Sequence, residues 1–241
     1  MAVLRVISDV HQCINNRDRF GDHPSYVEIC SELSSKDYSV QLGDLGYDYS
    51  DMNKVDWANH KCINGNHDRY DELGNIPHFL GDYGMVKLRM WDFFFIRGAF
   101  SLDKKMRIKY EQSTGIRTWF KEEELTQEQG KLALDCYEKN KPDVVFSHEC
   151  PSGVAHLLGN KDFLLAFGYS RDMVSSTQHL HQQLLEIHSP KMWIFGHWHK
   201  NWEVKYRGCH FRCIAERQFL DFDEQWNIVD GSEAERKSSG L

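Results

Sequence analysis

Short apolar runs recur along the chain, and most of them stop at a tight polar cluster. Residues 3–7 precede Ser8-Asp9-Val10-His11, residues 38–42 precede Gly43-Asp44, and residues 61–63 precede Asn64-Gly65-Asn66-His67-Asp68. Residues 144–146 precede Ser147-His148-Glu149, and residues 192–195 precede Gly196-His197-Trp198-His199. Runs this short, rich in β-branched and aromatic residues, predict buried strands with room for helices between them. Residues 24–34 carry Val27, Cys30 and Leu33 at helical spacing behind Pro24, a residue suited to a first helical turn. Residues 125–140 and 177–188 predict two more amphipathic helices, the second burying Leu180 and Leu184. The run 91–96 predicts a core strand ending at Arg97-Gly98. The basic, glycine-containing stretch 98–118 reads as a long loop. Residues 202–206 and 210–215, flanking Arg207-Gly208, predict a hairpin. Strands alternating with helices predict an α/β sheet whose ligands gather at the carboxyl ends of the strands.

Composition narrows this without redirecting it. At 241 residues, 41% hydrophobic and 27% charged, the chain suits one sizeable core: a single domain over residues 1–222, with residues 223–241 as a polar tail. No apolar run approaches transmembrane length, and the N-terminus lacks the order of a signal peptide, so a cytoplasmic protein is expected. Seven cysteines without a CxxC pair fit reduced thiols better than a disulfide framework or a zinc knuckle. A formal charge of −7 works against sequence-independent adhesion to nucleic acid.

Asp9-x-His11, Gly43-Asp44, Asn66-His67-Asp68, His148 and His197-x-His199 are each weak signals alone. Together, all at strand ends, they place polar groups around one rim of a sheet. Asp and His at alternate positions can reach one cation once the chain leaves the pleat, and Asp44 is a natural bridge between two divalent ions. Such a pair, ~3.5–4 Å apart, generates a hydroxide at neutral pH and clamps an in-line displacement at phosphorus. Carboxylate, imidazole and amide oxygen without thiolate suit Mn²⁺, Fe or Zn²⁺ better than a soft metal, and two divalent ions, Mn²⁺ foremost, are expected.

In order and spacing these motifs resemble the pattern D-x-H, GD, GNH[DE], H, GHxH of the calcineurin-like metallophosphoesterases, from Asp9 to His199. The resemblance implies a two-sheet β-sandwich flanked by helices, a four-layer α/β/β/α fold. It implies that Asp9, His11 and His199 hold the first metal, that Asp44 bridges, and that Asn66, His148 and His197 complete the second. A phosphate ester would then be hydrolysed by attack of a metal-bridging hydroxide. His67 would be the general acid, oriented by Asp68; a histidine beside a carboxylate and near cations can also play that part on chemical grounds alone.

Departures from the family pattern bear on substrate. The protein Ser/Thr phosphatase branch reads GDxxDRG and GNHE, whereas here the second motif runs Gly43-Asp44-Leu45-Gly46-Tyr47-Asp48, without arginine, and the third ends in Asp68. This favours phosphodiesterase or small-molecule phosphatase activity, on a small molecule or nucleotide. A nuclease acting on nucleic-acid ends, a protein phosphatase and a non-catalytic metal-binding scaffold are the alternatives. Arg97 is a candidate phosphate contact, with a structural ion pair as the competing role. The basic run Lys104, Lys105, Arg107 and Lys109 is read chiefly as a solvated face. His179 and His181 diverge on a helix and are expected at the surface, and residues 151–176 are the candidate substrate-shaping segment.

Overall fold

The computed structural model describes residues 2–11, 25–159 and 161–231. Its strands are β1 (Leu4–Ile7), β2 (Tyr38–Gln41), β3 (His60–Cys62), β4 (Tyr83–Leu88), β5 (Trp91–Ile96), β6 (Val144–Ser147), β7 (Met192–Phe195), β8 (Trp202–Tyr206), β9 (Cys209–Cys213), β10 (Phe219–Phe222) and β11 (Ile228–Gly231). The helices are α1 (Tyr26–Ser31), α2 (Lys104–Thr114), α3 (Gln127–Asn140), α4 (Ser152–Leu157), α5 (Phe163–Ala166) and α6 (Ser176–Ile187). The strands form a five-stranded sheet in the order β11-β10-β1-β2-β3 and a six-stranded sheet in the order β4-β5-β6-β7-β9-β8.

Alternation along the strands builds three apolar layers. Phe93, Phe95, Phe146 and Ile194 face Leu4, Val6, Val40 and Phe222 across the space between the sheets. Their neighbours Phe94, Ile96, Val145, Trp193 and Phe195 pack outward against Ala133 and Tyr137 of α3, Val154 of α4 and Leu184 of α6. On the other side, Ile7 and Cys62 pack against Tyr26, Ile29 and Cys30 of α1. Burial on both faces explains why these strands read as continuous apolar runs, and the result is the expected α/β/β/α sandwich. Helices α1, α3 and α6 each start on a capping box, Ser25 with Glu28, Thr126 with Gln129, and Ser175 with Gln178, which satisfies otherwise orphaned N–H groups.

Three sequence expectations need correction and a fourth is extended. The predicted loop 98–118 contains α2, which buries only Arg107; a helix with no apolar stripe leaves no periodicity to read. The tail does not start at residue 223, because β11 pairs antiparallel with β10; residues 232–241 lie outside the described residues, as do Gln12 and Pro24. His181 is fully buried, its Nδ1 3.0 Å from the Glu149 carbonyl. The predicted hairpin forms as β8 and β9, and β9 also runs parallel to β7, which seats it inside the sheet.

Candidate metal centre

Parallel pairing aligns the strand ends that carry the motifs. β1 and β2 are parallel, as are β2 and β3, β6 and β7, so Asp9, Asp44 and Asn66 leave one sheet near where His148 and His197 leave the other. Aiming those side chains inward distorts the backbone. Asp9, His11, Asp44, His197 and His199 all have positive φ, between 40° and 67°, a region that costs a non-glycine residue of order 1–3 kcal/mol and clusters at functional sites. Glycine is demanded at Gly65, where a Cβ would collide with the Asp44 carboxylate and lie 2.7 Å from His148 Nε2, and at Gly196, where it would collide with Ser8 and Asp9.

Two donor clusters result. In the first, Asp9, His11, Asp44 and His199 each offer an atom, all within 4.8 Å of one another. His11 Nε2 stands 3.1 Å from His199 Nε2 and 3.8 Å from Asp44 Oδ2, and His199 Nε2 stands 3.4 Å from Asp9 Oδ1. In the second, His148 Nε2 lies 3.2 Å from both Asp44 Oδ1 and Asn66 Oδ1, and the His197 ring is 5.0 Å from the His148 ring. Ligand atoms ~2.1 Å from a shared cation stand roughly 3–3.5 Å apart. The observed spacings fit that requirement, and the nitrogen and oxygen donors suit a divalent transition metal.

Hydrogen bonds outside the clusters hold several of these side chains in place. His148 Nδ1 bonds to the Leu42 carbonyl at 3.1 Å, leaving Nε2 to face inward. Asn66 Nδ2 donates to Ser101 Oγ at 3.1 Å, which turns Oδ1 toward His148. Ser101 Oγ in turn donates to Glu123 and accepts from Arg107 Nη1 at 2.7 Å, and a second Arg107 bond reaches the Asn66 carbonyl at 2.9 Å. Glu149 lies 3.5 Å from His197 Nε2 and Glu216 lies 3.6 Å from His199 Nδ1, the carboxylate–histidine arrangement common behind metal ligands. Glu149, Ser101 and Arg107 had no assigned site role in the sequence reading; the signals were Glu149 following His148 and Arg107 standing in the basic run.

Charge follows burial. Burial pushes the Asp9 carboxyl up, but hydrogen bonding to His199 and the nearby His148 outweigh it and hold it at about 2. Asp44 is likewise held well below the usual carboxylate range despite burial, mainly by His148. Burial favours a neutral His148, yet Asp44 dominates and lifts the imidazole to about 10. His67 goes the other way: burial pushes it down to about 3, with Asp44 opposing and Arg107 adding to the fall.

Two predicted roles change. Asp68 accepts backbone N–H groups of Gly65 at 2.7 Å, Gly46 at 3.0 Å and Asp44 at 3.1 Å. It therefore clamps the second and third motifs together and makes no bond to the His67 ring. That ring instead sits edge-on to His11 and Tyr47. Arg97, the candidate phosphate contact, is 6% exposed and committed to Asp82 at 2.6 Å, with further bonds to Tyr70 and the Glu122 carbonyl, so it is a structural ion pair.

Residues 3–201 match the family described as calcineurin-like phosphoesterase. No protein of curated function matches the sequence. Among solved structures, a dimetal phosphatase from Danio rerio superposes with a TM-score of 0.53 at 11% identity, over 91% of this chain and 95% of its own. The phosphopantetheinyl hydrolase PptH from Mycobacterium tuberculosis superposes with a TM-score of 0.51 at 15% identity, over 90% of each chain. At such identities the likeness concerns the fold, whereas the family match covers most of the sequence and every motif in it. The chain therefore belongs to the calcineurin-like phosphoesterase family and is a phosphoester hydrolase.

Proposed function

We propose that the chain is a dinuclear phosphoesterase acting on small phosphate esters, as a phosphodiesterase or a small-molecule phosphatase. The observation that carries this reading is the divided Asp44 carboxylate, whose Oδ2 faces His11 while Oδ1 faces His148. Asp9, His11, Asp44 and His199 would hold one cation; Asp44, Asn66, His148 and His197 would hold the other. Bound there, the cations supply Lewis acidity that neutralises phosphate charge and activates water for in-line displacement. The mixed oxygen and imidazole donor set suits Mn²⁺, Fe or Zn²⁺, and Mn²⁺ is the cation proposed.

The chain's own groups do the remaining work. Asp9 and Asp44 stay ionised, so acceptor charge is in place at neutral pH. Glu149 and Glu216 keep the His197 and His199 rings turned toward the centre. His67 is the proton donor to the leaving oxygen. Its imidazole is neutral at pH 7 in the free protein, and an anionic phosphate arriving beside it favours the protonated form. The second motif lacks the arginine of protein phosphatases, which supports a small substrate. The six described cysteines are free and five of them are buried, in keeping with a reducing cytoplasm.

The test is hydrolysis of 4-nitrophenyl phosphate and bis(4-nitrophenyl) phosphate with Mn²⁺, alongside metal content. Two equivalents of metal with diester cleavage that Asp44→Asn abolishes is the expected result. Metal-independent cleavage, or full activity with one equivalent, would overturn the dinuclear reading.

A further inference from the structure

Beside the metal centre lies a cavity of about 300 Å³ whose lining includes His197 and His199. Its walls are largely apolar: Phe100 and Leu102 from the connection between β5 and α2, Phe163 and Leu164 from α5, Met173 ahead of α6, and Trp198 between the two histidines. Phe163 meets Trp198 edge-on, 6.0 Å between ring centroids, and Tyr169 meets Phe100 in the same way at 5.6 Å. The segment expected to shape the substrate site lines this cavity through Lys161, Phe163, Leu164, Met173 and Ser175.

Two ammonium groups interrupt the apolar lining. Lys161 is only 9% exposed, and among the described residues its Nζ has a single polar contact, His156 Nδ1 at 3.5 Å. Lys200, an exposed residue, donates to the Leu158 carbonyl at 3.0 Å, so Lys161 is the enclosed cation of the two. Among the described residues neither forms an ion pair with a carboxylate. Glu149, the acid on the same cavity, already accepts from Cys150, Trp198 and Gln178 and lies against His197. A cation largely removed from water without a counter-ion is costly. Its place on the wall of a cavity next to a phosphate-ester site points to a counter-ion brought by the ligand.

We propose that this cavity receives the organic group of the substrate, and that the substrate class is a phosphate ester bearing an aryl or short aliphatic body with a second negative charge. The body packs on Phe163 and Trp198, and the second charge meets Lys161 and Lys200. A wholly polar ester would leave the apolar walls without a partner, and a cavity at the lower end of ligand-pocket sizes suits a compact group. The inference rests on the phosphoesterase reading for its phosphate anchor.

Calorimetric titration of the Mn²⁺-loaded protein with three non-hydrolysable phosphonates tests it: methylphosphonate, phenylphosphonate and 4-carboxyphenylphosphonate. Affinity is expected to rise about tenfold with the ring and about tenfold again with the carboxylate. Phe163→Ala, at a position already 40% exposed, removes the increment for the ring. Lys161→Gln and Lys200→Gln each shrink the increment for the carboxylate. Equal affinities for the three ligands, no binding of any, or a carboxylate increment that survives both lysine substitutions would overturn the proposal. Graded binding by a protein that cleaves no phosphate ester would refute the catalytic reading and leave the cavity standing; cleavage with ungraded binding would do the reverse.

Discussion

Around Asp44 Oδ2 the imidazoles are partly open to water, with the His11 side chain 20% and the His199 side chain 45% exposed. Around Asp44 Oδ1 the nearest partners are closed in, His148 at 0% and Asn66 at 3%, and only the His197 side chain of that cluster, at 16%, reaches water. The closed cluster is braced from behind. A backbone carbonyl fixes the His148 ring, and the Ser101, Arg107 and Glu123 group fixes the Asn66 amide. In the open cluster two imidazole nitrogens approach to 3.1 Å, and Glu216 is the carboxylate behind His199. His148 and Asn66 are therefore the most firmly preorganised donors, whereas the His11 and His199 imidazoles are the least enclosed.

The strongest way to break that contrast is to remove the carboxylate charge the halves share. Asp44→Asn should lower kcat/KM by about a thousandfold or more, since both halves lose a charged ligand, and metal analysis should show loss from both. If one equivalent survives at wild-type affinity, the carboxylate does not bridge. Ser101→Ala sharpens the contrast instead. It leaves all seven candidate ligands in place but frees the Asn66 amide to turn, and it should weaken the tighter metal by about 10–100-fold, as measured by competition with a chelator. An equal effect on both metals would mean that the brace serves the whole rim.

Gly65→Ala tests the close approach of the third motif to Asp44 and His148. An overpacked core site costs about 1–3 kcal/mol, which for a chain of this length lowers Tm by about 2–4 °C per kcal/mol; thermal melts of the metal-free protein would show it. The smallest effect concerns protons. In the metal-free protein His148 is raised to about 10 by Asp44 against the effect of burial. Its contribution to stability is therefore fully present below the ordinary histidine value of about 6.5 and is lost as pH rises through about 10. Ligation needs the neutral ring. Metal uptake at pH 7 should release about one proton from the closed half, read as a buffer-dependent binding enthalpy. A His148→Asn variant that releases the same number would assign that proton elsewhere.

Much of this candidate centre was legible because each candidate ligand follows a buried strand, and strand runs of apolar residues are conspicuous. All seven expected ligands do converge in space. What escaped was whatever lacked an apolar pattern or depended on a distant partner. Helix α2 buries one arginine and nothing apolar, so it read as a loop. His181 had a local signal, since Thr177, His181, Leu184 and Leu185 share the buried face of α6 at helical spacing. The role of Asp68 had none. From sequence it neighbours His67, and only the folded loops bring the N–H groups of residues 44 and 46 to its carboxylate.

By itself the sequence determined the family, the strand-end placement of the donors and their chemistry. Those follow from local order, in which apolar runs become strands and polar residues after them become a rim. Tertiary structure alone decided which oxygen of Asp44 serves which cluster, which half is braced, that Arg97 is spent on Asp82 while Arg107 stands behind Asn66, and that Lys161 is enclosed beside an apolar cavity. Each of these depends on distances between residues far apart along the chain, and such distances exist only once two sheets have packed face to face.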